Sequence, residues 1–159
     1  LVDPELKEDL QNRVFGGLEI EMGYCSGIID FKLLEYHRNS ELNITGTDAI
    51  FMVAPITAIK DGIVDTNSVE IFFAPKGTAV LSMKLAAHAP CHADDGDVFR
   101  VCVVLPKNTN TQRPVLPKEC AESRMLTHNN KWLMAHSASP EAKLEITTGV
   151  VVGTNLKLD

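Results

Sequence analysis

The sequence predicts an all-β domain carrying one short helix at its N-terminus. Three observations lead to that class. Short apolar or alternating runs recur along most of the chain, turn-forming residues separate them, and a helical apolar period occurs only ahead of Gly16.

The elements follow in order. Asp3 is a capping residue type, Pro4 suits a first helical position, and Leu6, Leu10 and Val14 recur at i, i+4 and i+8. Gly16-Gly17 ends that helix. Residues 1–17 therefore read as helix and lead-in, and residues 18–159 as one β domain. Within it, "LEIEMGY", "FKLLEYH", "DAIFMVA", "VEIFFAP", "AVLSMKLAAH", "FRVCVVLP", "KWLMAH" and "TGVVVG" read as strands. The segments "CSGIID", "ITGTD", "APKGT" and "ADDGD" read as turns. About eight strands after a single helix point to a sandwich or barrel. Lys107–Asn130 is polar, contains Pro114 and Pro117, and reads as a long loop with a helical turn around "PKECAES". Loops of that length in compact domains often carry function.

A chain of 159 residues suits one hydrophobic core, and 45% apolar with 23% charged residues is ordinary for a globular protein. The net charge of −6, with no basic stripe, excludes an extended nucleic-acid surface. No apolar run approaches the ~18 residues of a membrane span, and nothing reads as a signal peptide. The first residue is Leu1 rather than Met, so the start reads as a processed end or a cut through a longer protein. Cys25, Cys91, Cys102 and Cys120 are widely spaced with no CxxC pair, which is not a disulfide framework. Cys102, in "FRVCVVL", reads as a small buried residue, and the expected compartment is the reducing cytoplasm.

Chemistry concentrates in "KLLEYHRNSELN", residues 32–43. If one strand runs through it without a bulge, Glu35, His37 and Glu41 share a face with Leu33 and Asn43. Leu34, Tyr36, Leu42 and Ile44 take the other face. Taken alone, the polar face is either solvated or a divalent-metal site, since imidazole and carboxylate are both ligand types. Downstream, Pro75-Lys76-Gly77 forms a turn, and His88 ends the following strand just before Pro90. Lys84 shares a strand face with His88 if no bulge intervenes, and either meets an acidic substrate or Glu35, or stands on the exterior. Arg100 can bind a carboxylate or phosphate, or form a surface ion pair. Tyr24 and Trp132 either line a pocket wall or fill core. Lys107, Asn108 and Asn110 suit ligand contact and turn chemistry equally. His92 reads as an exposed turn residue and Cys91 as packed beneath the turn, with metal ligation the alternative for each, and His128 and His136 read as locally bonded or solvated.

The order Gly27, Glu35, His37, Glu41, Gly46, then Pro75-x-Gly77 and His88, resembles the two-motif signature of the cupin superfamily. Glu35 stands where that pattern usually has its first histidine, and Val80 where it has another. The phrases "EMGYCSG", "LLEYHRNSELNI", "FFAPKGTAV", "HAPC", "FRVCVVLPKNTN" and "NKWLMAH" are similar to the DUF4867 family, which is cupin-like. The resemblance implies a cupin-type jelly-roll barrel, with His37, Glu41 and His88 as metal ligands. Glu35 is then a fourth ligand or a catalytic base, and Lys84, Arg100 and Tyr24 are substrate contacts. It further implies a divalent ion (Mn, Fe, Ni or Zn) and an isomerase, epimerase or lyase acting on a sugar or sugar acid through an enediolate. A non-catalytic binding or structural cupin is the alternative, and an Fe-dependent dioxygenase the third reading. A homodimer joined through its sheets, with the N-terminal helix covering an edge, completes the expectation.

Overall fold

The computed structural model describes residues 3–27, 33–82, 86–88, 98–118, 120–143 and 149–156, with the backbone alone for 86–88 and 121. Helix α1, Pro4–Asp9, is capped by Asp3, whose carboxylate accepts the N–H of Glu5 at 3.0 Å. A π-helical turn, Leu10–Val14, continues it, and Gly16 and Gly17 stop it at φ +62° and +89°. The strands are β1 Ile20–Gly27, β2 Leu33–Tyr36, β3 Glu41–Thr45, β4 Ala49–Pro55, β5 Ile63–Asp65 and β6 Glu70–Ala74. They continue with β7 Ala79–Ser82, β8 Ala86–His88, β9 Phe99–Pro106, β10 Leu126–His128, β11 Lys131–His136 and β12 Gly149–Val152. Helix α2, Ala121–Arg124, supplies the helical turn expected in the long loop.

The protein is all-β, as expected from the sequence, and its strands form two sheets. The smaller runs β1-β9-β3-β7. The larger runs β5-β12-β11-β2-β8-β4-β6, with β10 paired to β11. Neighbours are antiparallel except β11 with β12 and β12 with β5, which are parallel. Alternation along each strand builds three apolar clusters. Between the sheets, Ala49, Phe51 and Ala74 meet Phe99 and Val101, with Cys25, Val80 and Val103 packed against them. On the outer face of the large sheet, Leu34, Tyr36, Met52, Val64, Met134 and Val151 pack with Met125. On the outer face of the small sheet, Ile20, Leu42 and Val104 are covered by Phe15 and Leu10. Full burial of each such side chain contributes about 1.5–3 kcal/mol.

Two expectations change here. Leu10 is half-buried and the following Phe15 buried against the small sheet, whereas Leu6 and Val14 are exposed, so the expected apolar stripe is not the packed one. The helix covers the face of the small sheet and not an edge. "FKLLEYHRNSELNI" is also two strands in different sheets: β2 lies in the large sheet, β3 in the small one, and the chain crosses at residues 37–40. "AVLSMKLAAH" divides in the same way, β7 joining the small sheet and β8 the large one. Cys25, Cys102 and Cys120 are free thiols. No helix among the described residues is long and apolar enough to cross a membrane.

Candidate metal centre

Because β2 and β3 belong to facing sheets, their odd-numbered residues meet between the layers rather than along one strand. Glu35 pairs in register with Leu133 on β11, and Glu41 with Ser82 on β7. His37 sits in the crossing segment that links the two strands. His37 and Glu41 are buried, Glu35 nearly so. One ligand atom from each of Glu35, His37 and Glu41 lies within 4.8 Å of the other two. His37 Nε2 is 3.3 Å from Glu41 Oε2 and 3.6 Å from Glu35 Oε1.

The other ring nitrogen fixes what Nε2 can do. His37 Nδ1 lies 2.7 Å from the carbonyl oxygen of Asn130, which can only accept, so Nδ1 carries the proton and donates. In the neutral ring Nε2 then turns a lone pair towards two carboxylates. Asn130 adopts φ +57° in the turn between β10 and β11, a conformation Asn tolerates better than most residues. Its side chain accepts the N–H of Arg38 at 2.9 Å and donates to Thr109 Oγ1 at 3.1 Å, tying three segments to one carbonyl. The arrangement matches the outer hydrogen bond that orients metal-bound imidazoles.

Neighbouring groups hold the carboxylates. Asn43 Nδ2 donates to Glu41 Oε1 at 2.8 Å, and Lys131 Nζ sits 2.5 Å from Glu35 Oε2. Burial pulls the His37 pKa down, but hydrogen bonds donated to the Glu35 and Glu41 carboxylates, and the charges of those two groups, outweigh it, leaving the pKa above its ordinary 6.5. Burial, then the same two carboxylates, pushes up the Cys25 thiol. A cavity of about 330 Å³ opens onto the cluster, with Glu35, Glu41 and Asn43 in its lining. Cys25, Phe51, Val103 and Leu105 supply apolar lining, and Thr109 and Asn110 further polar groups. It is large enough for a small polyhydroxylated molecule.

Not every expected site residue joins this group. The backbone of His88 lies opposite Glu35 in the β2–β8 ladder and opposite Val53 of β4, while its side chain lies outside the described residues. Lys84, Cys91 and His92 also lie outside them. The described strands on either side of Lys84, β7 ending at Ser82 and β8 at Ala86–His88, lie in different sheets. Tyr24, on the edge strand bounding the cavity, is 84% exposed. Arg100 is exposed, pairs with Ser26, and is out of phase with buried Val101. Its backbone N–H donates to Thr47 Oγ1 at 2.9 Å. Trp132 stacks on Tyr36 on the outer face of the large sheet. His136 is buried and bonds locally only at Nδ1, which accepts the Ala138 N–H, while Nε2 donates to Gly153 O.

Asn130 and Lys131 are functional neighbours that the motif reading missed. Lys131 did leave a signal: in "KWLMAH" it is in phase with Leu133 and Ala135, both buried. The role of Asn130 rests on a backbone carbonyl, and only its positive φ favours the residue type.

No curated protein matches the sequence. The family described as "Domain of unknown function (DUF4867)" matches residues 1–156, and the chain belongs to it.

Proposed function

We propose that this protein is a cupin-type enzyme that binds one divalent cation through Glu35, His37 and Glu41. The observation that carries the reading is the inward-facing Nε2 of His37, set between two carboxylates while Nδ1 is committed to Asn130. The donor set fits: one imidazole and two carboxylates suit Mn, Fe, Ni or Zn. His88, opposite Glu35 in the ladder, is the proposed fourth ligand. Once bound, such a cation supplies Lewis-acid polarisation of a substrate carbonyl.

The chain's own groups do the rest. Lys131 anchors Glu35 Oε2 and leaves Oε1 facing the cluster. We assign Glu35, with its Oε1 released from the cation, as the base that removes the proton from a carbon beside a carbonyl and returns it to the adjacent carbon in an isomerisation or to the departing oxygen in an elimination. Asn43 keeps Glu41 oriented, and Thr109 and Asn110 in the cavity lining offer hydrogen bonds to substrate hydroxyl groups. Apolar walls from Phe51, Val103 and Leu105 exclude water from the reacting centre. This is isomerase, epimerase or lyase chemistry on a sugar or sugar acid.

A second reading is favoured by the Lys131–Glu35 pair, which satisfies a carboxylate without a metal. On it, the protein is a non-catalytic cupin that binds a small molecule. Incubating a panel of aldoses, ketoses and sugar acids in D2O with the metal-supplemented protein separates the two by NMR. The enzymatic reading expects deuterium at a carbon next to the carbonyl of one substrate, lost in Glu35→Gln. Binding without exchange, elimination or oxygen uptake across the panel leaves the non-catalytic reading standing.

A further inference from the structure

Strand β6, Glu70–Ala74, closes one edge of the large sheet and pairs only with β4 among the described residues. Its sequence is unlike that of a protected edge. Natural edges carry lysine, proline or a bulge to discourage further pairing. Here Ile71, Phe72 and Phe73 are 48%, 50% and 56% exposed and occupy both faces of the strand. The pairing with β4 runs without a bulge from Ala49↔Ala74 to Val53↔Glu70. Four residues, 75–78, then lead into β7, the edge of the other sheet, where Leu81 is 42% exposed. Gly77, at φ +84°, provides the positive φ of that turn.

The charges beside this run are self-complementary. Glu70 and Lys76 are both exposed and flank Phe73 symmetrically at three residues on either side. Antiparallel pairing of β6 with its own copy about a two-fold axis through Phe73 sets Glu70 opposite the partner's Lys76. The same register sets Phe72 opposite the partner's Ala74 and Phe73 opposite the partner's Phe73. Pro75 has no N–H to offer and ends the ladder. Lys76 commits its backbone N–H to Asp48 Oδ1 at 2.7 Å, leaving its side chain for the rim. A two-fold contact uses the same patch twice, which is the condition this symmetric run meets.

We propose that two copies of this chain pair through β6, centred on Phe73, joining their large sheets into one continuous sheet. Sedimentation equilibrium over micromolar concentrations tests this on the full chain. The expected result is a reversible dimer, with Phe73→Asp monomeric and its circular dichroism unchanged. Glu70→Lys or Lys76→Glu alone sets like charges together at both rims and raises the dimer Kd by about tenfold. The double swap, Glu70→Lys with Lys76→Glu, returns it to within about twofold of the original. Because both positions are exposed, this charge series stays informative even if Phe73→Asp fails to fold. A wild type that is monomeric throughout overturns the proposal, as does a dimer unaffected by the single swaps or not restored by the double one. An open-ended assembly also overturns it, since a two-fold pair consumes the edge.

Discussion

Four consecutive residues, Glu35 to Arg38, feed two polar clusters on opposite faces of the large sheet, and the two differ in kind. On the outer face, Tyr36 stacks on Trp132 with ring centroids 5.2 Å apart and an interplanar angle of 9°. Arg38 lies over the same indole at 4.7 Å and pairs with Glu122 at 2.6 Å. The Tyr36 hydroxyl donates to the same carboxylate at 3.1 Å. This group has one carboxylate and one guanidinium, which pair with each other, and the Tyr36 hydroxyl shares the carboxylate. On the inner face, two carboxylates and an imidazole meet in a buried space, with Lys131 paired to Glu35. The outer cluster is an anchor that fixes α2 to the sheet. The inner one gathers three groups of metal-ligand type within 4.8 Å, and that donor set separates a candidate site from a structural network.

If this division is right, substitutions on the two faces should fail in different ways. The largest effect on folding is expected from Tyr36→Ala. It removes a fully buried ring and should cost about 3–5 kcal/mol in urea unfolding, with metal affinity per folded molecule unchanged. His37→Ala should do the reverse, lowering metal affinity at least about a hundredfold by titration calorimetry, since it deletes the ligand while outer contacts persist.

Lys131→Met sharpens the contrast further. Lys131 competes with a metal for Glu35, so its loss should tighten metal binding by about tenfold and destabilise the metal-free protein by about 1–3 kcal/mol. Weaker metal binding in this variant would make Lys131 part of the site's support and not a competitor. The smallest effect is expected from Arg38→Ala on the outer face, about 0–1 kcal/mol, because its side chain is half exposed.

The clusters also separate by pH. The folded His37 pKa lies above its ordinary 6.5, so the protonated ring stabilises the metal-free protein. That contribution is fully present below pH 6.5 and is lost as pH rises through the raised folded value. In chelator, Tm should therefore fall across neutral to mildly alkaline pH, and the fall should disappear when Glu35 and Glu41 are both changed to Gln. The outer cluster adds nothing in this window. Burial first, and then the Glu122 carboxylate, raises the Tyr36 pKa and keeps its hydroxyl protonated.

Much of this was legible in the sequence because most strands are short apolar runs bounded by turn-forming residues. "FRVCVVLP" and "KWLMAH" became β9 and β11 with the expected bounds. The crossing between sheets was not legible. "HRNS" holds neither glycine nor proline, so the run from Leu33 to Ile44 looked continuous. Its odd residues face inward on both sides of the crossing, so Glu35, His37 and Glu41 were grouped correctly from an incomplete geometric premise. β5 and β10 are three residues each, too short to show a period. Tyr36 and Arg38 gave no hint of their joint role, because the partner Glu122 lies more than eighty positions away.

The central claim is that the inner cluster is a metal site, and metal stoichiometry tests it most directly. Purified protein should be stripped with chelator, titrated separately with Mn, Fe, Ni and Zn ions, and analysed by mass spectrometry after desalting, alongside His37→Ala. We predict one tightly held divalent ion per chain in the wild type and none in the variant. A wild type that retains no ion from any of the four, or a variant that retains as much, would contradict the claim.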